Sequence, residues 1–185
     1  MPAIIAMLRG VNVGGHNLIS MPALRALCGS LGLENIQTYV QSGNVVFMSG
    51  ERNLEALTKR IEAALDKACG SRITVMLRTS AEMRTVIAQN PFAKRSKVEP
   101  NKLLVTFLAK AISPEAQWQL ETIKAGSEEV KARAREVYVY YPDGMGRSKL
   151  PAAMERVLKK TGTARNWNSV TKLLEMAAGL EEPLG

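Results

Sequence analysis

The feature that most constrains this chain is a pair of short runs, residues 3–8 (AIIAML) and 103–108 (LLVTFL), apolar on both alternating faces. A strand turns successive side chains to opposite sides, so such a run must be covered on both faces. Each is therefore expected to be a central strand. Around each of them the same order of elements can be read.

In the first half, a Gly- and Asn-rich loop (residues 10–19) follows the apolar run. Ser20 is a good helix N-cap, and Leu24, Leu27, Cys28 and Leu31 recur at helical spacing before Gly32. Residues 36–41 and 45–48 read as strands joined by the turn sequence Ser42-Gly43-Asn44. An Asn53 cap then opens a helix through Leu54, Leu57, Ile61 and Leu65 to Gly70, and residues 73–77 form a fourth strand. Ser80 is expected to cap a short helix ending at Asn90-Pro91-Phe92, and the basic stretch 93–101 reads as a linker.

The second cycle begins at residue 103. Ser113-Pro114-Glu115 supplies a cap, a proline at the first helical position and an acid in the first turn. Residues 130–134 and 137–141 form an expected hairpin. Ser148 is read as the cap of a helix through Leu150, Met154 and Val157 that Gly162 ends. Residues 163–167 are extended, and Asn168 is read as the cap of a last helix. The fold class is therefore α+β: two tandem ferredoxin-like βαββαβ halves, a structural duplication. The expected boundaries are 1–79 for the first half, 80–101 for a short helix and linker, and 102–185 for the second half with an extra C-terminal helix.

Composition narrows the function without choosing it. The net charge of +8 and pI near 9.7 favour polyanions or phosphorylated small molecules, although many basic proteins bind neither. The two cysteines lie inside expected helices without metal-ligand spacing, and Cys28 shares an apolar face with Leu24 and Leu31. The opening apolar run is too short to span a membrane and no basic segment precedes it. A cytoplasmic location, with no membrane partner, is the expectation.

Topology then gathers the polar residues into two corners. In the expected strand order, the end of the first strand and the turn after the second lie at one edge. That places Arg9, Asn12, Gly14, Gly15, His16 and Asn17 beside Gln41, Ser42 and Asn44. A guanidinium among amides and glycines can hold a phosphate or carboxylate. The same Asn and Ser side chains can equally satisfy their own turns.

In the second half, the third and fourth strands finish at a common edge. Gly144-Met145-Gly146-Arg147-Ser148-Lys149 is thereby expected beside Arg165, Asn166, Trp167 and Asn168. A helix start flanked by Arg147 and Lys149 suits an anion, and Trp167 can stack on a ring or anchor a loop.

Several machines find little or no support in the spacing. The glycines match neither a dinucleotide fingerprint nor a P-loop, and no nucleophile elbow is present. His16 is the single histidine, so neither a metal cluster nor a triad has its parts close in sequence. An RNA-binding sheet should show aromatics on its first and third strands. Aromatics here total 5%, and only Tyr138 and Tyr140 share a strand face.

Five segments together resemble a bacterial family described as domain of unknown function 1697. They are Leu8-Arg9-Gly10-Val11-Asn12-Val13-Gly14-Gly15, Tyr39-Val40-Gln41-Ser42-Gly43-Asn44-Val45-Val46-Phe47, Asn90-Pro91-Phe92, Ser148-Lys149-Leu150 and Thr163-Ala164-Arg165-Asn166-Trp167-Asn168. The resemblance runs over nearly the whole chain and implies a two-part α+β fold without established catalytic residues. The chain departs from the family pattern at His16, where Lys is common, and at Ser169, where Thr is common. The segments coincide with the two corners.

The expectation drawn from these residues is a protein that binds a phosphate-bearing or other anionic ligand, a nucleotide or a nucleic acid. Arg9, Lys149 and Arg165 supply charge, while Asn12, Gln41, Asn44 and Asn166 orient the ligand. Two alternatives stand beside it: an enzyme acting on a small anionic substrate with Lys149 or His16 as proton carrier, and a non-catalytic interaction module. No cofactor or metal is called for.

Overall fold

The computed structural model describes residues 1–182. These form two four-stranded antiparallel sheets and six α-helices, an α+β architecture. By compactness the chain divides into two units, Met1–Arg84 with Lys172 onward, and Thr85–Thr171.

Unit one carries β1 (Ala3–Leu8), α1 (Met21–Ser30), β2 (Glu34–Tyr39), β3 (Asn44–Met48), α2 (Leu54–Cys69) and β4 (Val75–Thr79). The strand order is β2-β3-β1-β4. Every residue of β1 is buried, as a doubly apolar run demands. Ile4, Ala6 and Leu8 face Leu24 and Cys28 of α1 and Leu57, Ile61 and Leu65 of α2 in one core. Ser20 and Asn53 cap the two helices through Ala23 N and Ala56 N, and Gly70 ends α2 in the left-handed conformation. Cys28 is a small buried residue of this core, and burial pushes its thiol up to about 11.

Unit two repeats the order. β5 (Leu103–Phe107), α4 (Pro114–Glu121), β6 (Glu129–Arg133), β7 (Glu136–Tyr140), α5 (Leu150–Leu158) and β8 (Thr163–Asn166) follow α3 (Ser80–Ala88) and a 3-10 turn at Pro100–Lys102. The sheet order is β6-β7-β5-β8. Its core joins Leu120, Val137, Val139, Leu150 and Met154. The chain ends its described part in α6 (Trp167–Glu181), which begins in unit two and finishes in unit one.

The two sheets match in register as well as order. Arg78 on β4 pairs with Ile5, the third residue of β1, and Arg165 on β8 pairs with Val105, the third residue of β5. Both arginines are buried, and each Nη1 donates to the carbonyl of the residue before it, Leu77 or Ala164.

Several boundaries differ from the sequence reading. β2 stops at Tyr39 because Val40 adopts a positive φ of 50°. β4 runs two residues further than expected and keeps the buried Arg78 within it. The cap of α3 is Thr79, not Ser80: Thr79 Oγ1 accepts from Glu82 N and Glu82 Oε2 accepts from Thr79 N, a reciprocal capping box. α5 ends at Lys159 in the left-handed region rather than at Gly162. Gly162 has another reason to be glycine, since a Cβ there would lie 2.5 Å from Thr106 Cγ2. α6 is capped by Asn166, whose Oδ1 accepts from Ser169 N, rather than by Asn168.

Candidate functional site

Topology brings the first corner together as expected. Leu8 N donates to Gly43 O at 2.8 Å, and Asn12 Nδ2 donates to Gln41 O at 2.9 Å. The amides there hold backbone. Asn12 also donates to Ile19 O and accepts from Ile19 N, both at 3.0 Å. Asn17 Nδ2 donates to Gly10 O, and its Oδ1 accepts from Ser71 Oγ. Asn44, fully buried, donates to Tyr39 O and Ser42 Oγ.

Gly14 and Gly15, at φ of 59° and 78°, form the middle of a tight turn closed by His16 N donating to Val13 O. At Gly43, φ is +73° and a Cβ would sit 2.9 Å from Leu8 Cβ. Arg9 is half-buried with its N–H on Thr74 O, while Gln41 and Ser42 are exposed. This corner is a braced turn; its polar atoms are largely committed to the fold.

The second corner is arranged differently from the expectation. β7 and β8 do end at one edge, beside the start of β5. The loop after β7, however, folds toward β6. Glu129 pairs with Tyr140, so the residues before β6 and those after β7 are neighbours. Between them lies a cavity of ≈ 450 Å³ lined by Ala125, Gly126, Ser127, Glu128, Asp143, Gly144, Arg147, Ser148 and Lys149. Arg165, Asn166, Trp167 and Asn168 lie past β5 and contribute nothing to that lining.

Within the cavity, Ser148 Oγ donates to Glu128 Oε1 and accepts from Leu150 N at 3.1 Å. Ser148 thus stands one residue before the N-cap position, which Lys149 occupies without a side-chain capping bond. Ser127 Oγ donates to Asp143 Oδ2 at 2.5 Å. Glu128 Oε2 is buried and has no hydrogen-bond partner. Gly126 backs it: at φ +146°, a Cβ on Gly126 would stand 2.7 Å from Glu128 Oε2. The cavity lining therefore contains two carboxylates, two hydroxyls and two cations.

The sequence reading named Ser148 and Lys149 but missed Ser127, Glu128 and Asp143. The signal was available in the hairpin, because antiparallel pairing makes the two flanks of β6–β7 adjacent.

The remaining predicted residues of this corner lie outside the cavity, and Arg165 and Asn166 have structural tasks. Arg165 is buried, donates to Thr163 Oγ1 and Ala164 O, and burial lowers its pKa to about 10. Asn166 is the cap of α6, Trp167 is half-buried and Asn168 is exposed.

The Asn90-Pro91-Phe92 segment is likewise structural. Phe92 is buried 6.0 Å from the Tyr140 ring, Arg95 lies over both rings, and Arg95 Nη2 reaches Glu129 Oε2 at 3.0 Å. Tyr138 is buried with its hydroxyl on Val86 O at 2.7 Å, so it cannot stack on a base. Among the described residues, no group of His, Cys, Asp and Glu is arranged to hold a metal, and no helix is long and apolar enough to cross a membrane.

Comparison with known proteins bears on the family and the fold. Residues 1–138 match the model of a family described as a protein of unknown function (DUF1697). The chain belongs to this family. No curated protein matches it. Among solved structures it is similar to the conserved bacterial protein SP0830 from Streptococcus pneumoniae, with a TM-score of 0.74 and 19% identity. That match covers 95% of this chain and 98% of the other. At this identity the likeness shows the fold. The DUF1697 match takes in the braced corner and the loop before β6, and ends inside β7.

Proposed function

We propose that this DUF1697 protein binds a small phosphorylated molecule in the cavity between the β6 and β7 flanks. The observation that carries the reading is the buried, unpartnered Glu128 Oε2 of a residue that lines the same cavity as Arg147 and Lys149. A carboxylate oxygen kept from water without a donor costs about 1–3 kcal/mol or more. Binding that rearranges the lining so that a donor or one of the two cations reaches this oxygen relieves that cost.

The charge pattern sets the class. A bare anion meets Arg147 and Lys149 but is repelled by Glu128 and Asp143. A phosphate that carries hydroxyl or amino groups meets both signs, the phosphate on the cations and the donors on the carboxylates. Sugar phosphates and nucleotides have this composition. Binding along the braced corner through Asn12 or Asn44 is not part of this reading, because their bonds lie within the fold. We also read the shared strand order, and Arg78 and Arg165 at matching positions, as a duplicated ferredoxin-like unit.

The test is a thermal-shift screen against sugar phosphates, nucleotides, inorganic phosphate and short oligonucleotides at two salt concentrations. A selective ligand at a hundred times its Kd adds about 2.7 kcal/mol of apparent stability. Lys149→Ala and Glu128→Gln should each remove the shift, and Arg72→Ala in unit one should leave it. A shift from inorganic phosphate alone, or one indifferent to Lys149 and Glu128, rejects the proposal.

A further inference from the structure

A strand at the edge of a sheet turns alternate N–H and C=O groups away from its neighbour, and a strand of another chain can pair with them. β6 is such a strand, because the order β6-β7-β5-β8 gives it a single neighbour. Its outward groups are nevertheless engaged. Ala132 N donates to Glu121 Oε1 at 2.9 Å, and Ala132 O accepts from Arg133 Nη1 at 2.9 Å and Gln117 Nε2 at 3.4 Å. Ala134 O accepts from Ile112 N at 2.8 Å, in the segment that leads into α4. Gln117 and Glu121 stand one turn apart on α4 and are joined, Nε2 to Oε1, at 3.4 Å. Side chains of α4 thus lie along the open edge of β6.

The device recurs on the outer strands β4 and β8. Arg78 Nη1 donates to Leu77 O at 2.8 Å, and Arg165 Nη1 donates to Ala164 O at 2.9 Å. On β4, Val75 N and Thr79 N are taken by Glu62 Oε1 and Glu82 Oε2. On three edge strands, then, an arginine folds onto the carbonyl before it, and on two a glutamate takes an outward N–H. β6 is the one of these whose lock meets solvent. Arg78 and Arg165 are buried, whereas the Arg133 and Glu121 side chains are 47% and 25% exposed. The remaining edge, β2, has a register shift between Glu34 and Gln37, which disrupts a ladder by itself.

We infer that Gln117, Glu121 and Arg133 form an edge lock that keeps β6 from pairing with β6 of a second copy. A strand arriving at this edge must displace all three before its backbone can bond to Ala132. A second copy is the natural occupant of an opened edge, since antiparallel pairing about a two-fold axis satisfies both identical edges at once.

Sedimentation velocity over a range of concentrations, with residue-resolved amide exchange, tests this on the full chain. The double variant Gln117→Ala, Glu121→Ala should self-associate at least about tenfold more tightly than the parent, because groups on two edges become available together. Exchange at Val130 and Ala132 should slow as its concentration rises, since alternation turns both N–H groups outward. Glu121→Gln, which keeps an acceptor for Ala132 N, should sediment like the parent. Arg133→Ala leaves α4 untouched and should associate more than the parent but less than the double variant. It decides the case if the double variant loses its circular dichroism spectrum. Folded variants that associate no more than the parent overturn the inference. So does association that leaves exchange at Val130 and Ala132 unchanged.

Discussion

Asparagine is the residue whose meaning the fold decides here. An amide offers the same donor and acceptor to a ligand as to its own turn, so Asn12, Asn17 and Asn44 read either way in the sequence. In the fold, Asn12 sits at φ 55° and makes three bonds that close the loop from Gly10 to Ile19 onto the β2–β3 turn. Asn12→Ala should lower unfolding free energy by about 2 kcal/mol, because two backbone carbonyls and one N–H lose their partner together. His16→Ala, an exposed position in the same loop, should change it by less than about 0.5 kcal/mol. Urea denaturation of both variants checks the contrast. If His16 were the costlier change, the loop would depend on the imidazole rather than the amide.

At the scale of elements, three of the six described α-helices had legible starts because their caps are local. Ser20, Asn53 and Ser113 each accept from the N–H three residues on, and each was readable from a polar residue before an apolar period. The strand ends and the later caps were less legible. Val40 stops β2 against its own β preference, and Arg78 extends β4 although a buried cation reads as a strand end. At α3, two hydroxyls compete, Thr79 and Ser80. The structure gives the cap to Thr79 and turns Ser80 Oγ toward Glu181 Oε1 at 2.6 Å.

Thr79→Ala should therefore cost about 1 kcal/mol, and Thr79→Ser should recover most of it. Amide exchange at Glu82 reads the same loss locally. An unchanged Glu82 exchange rate in the alanine variant would put the cap elsewhere.

At the scale of the molecule, two doubly apolar runs were enough to foresee two sheets, each centred on one of them. Chain order says less about which sheet a last helix packs on, because adjacency in sequence does not choose between the two. The residues from Lys172 onward belong to unit one, where Leu173 and Ala177 are buried. Glu181 fastens this end: it accepts from Ala3 N at 3.0 Å, from Ser80 Oγ and from Arg84 Nη2 at 3.2 Å. Burial pushes its carboxyl up, but the bonds from Ser80, Ala3 and Arg84, with the Arg84 charge, together hold it below the usual range.

A carboxyl whose pKa falls on folding favours the fold wherever it is ionised in both states. That contribution is complete above the unfolded glutamate value of about 4.3 and is lost as pH drops through the lower folded value. Glu181→Gln should accordingly reduce stability at pH 7, and the gap between variant and parent should narrow as both are acidified. Urea midpoints at pH 7 and at pH 3 measure it. A gap of the same size at both would mean that Glu181 holds the end of α6 by its shape and neutral hydrogen bonds, with its charge contributing nothing.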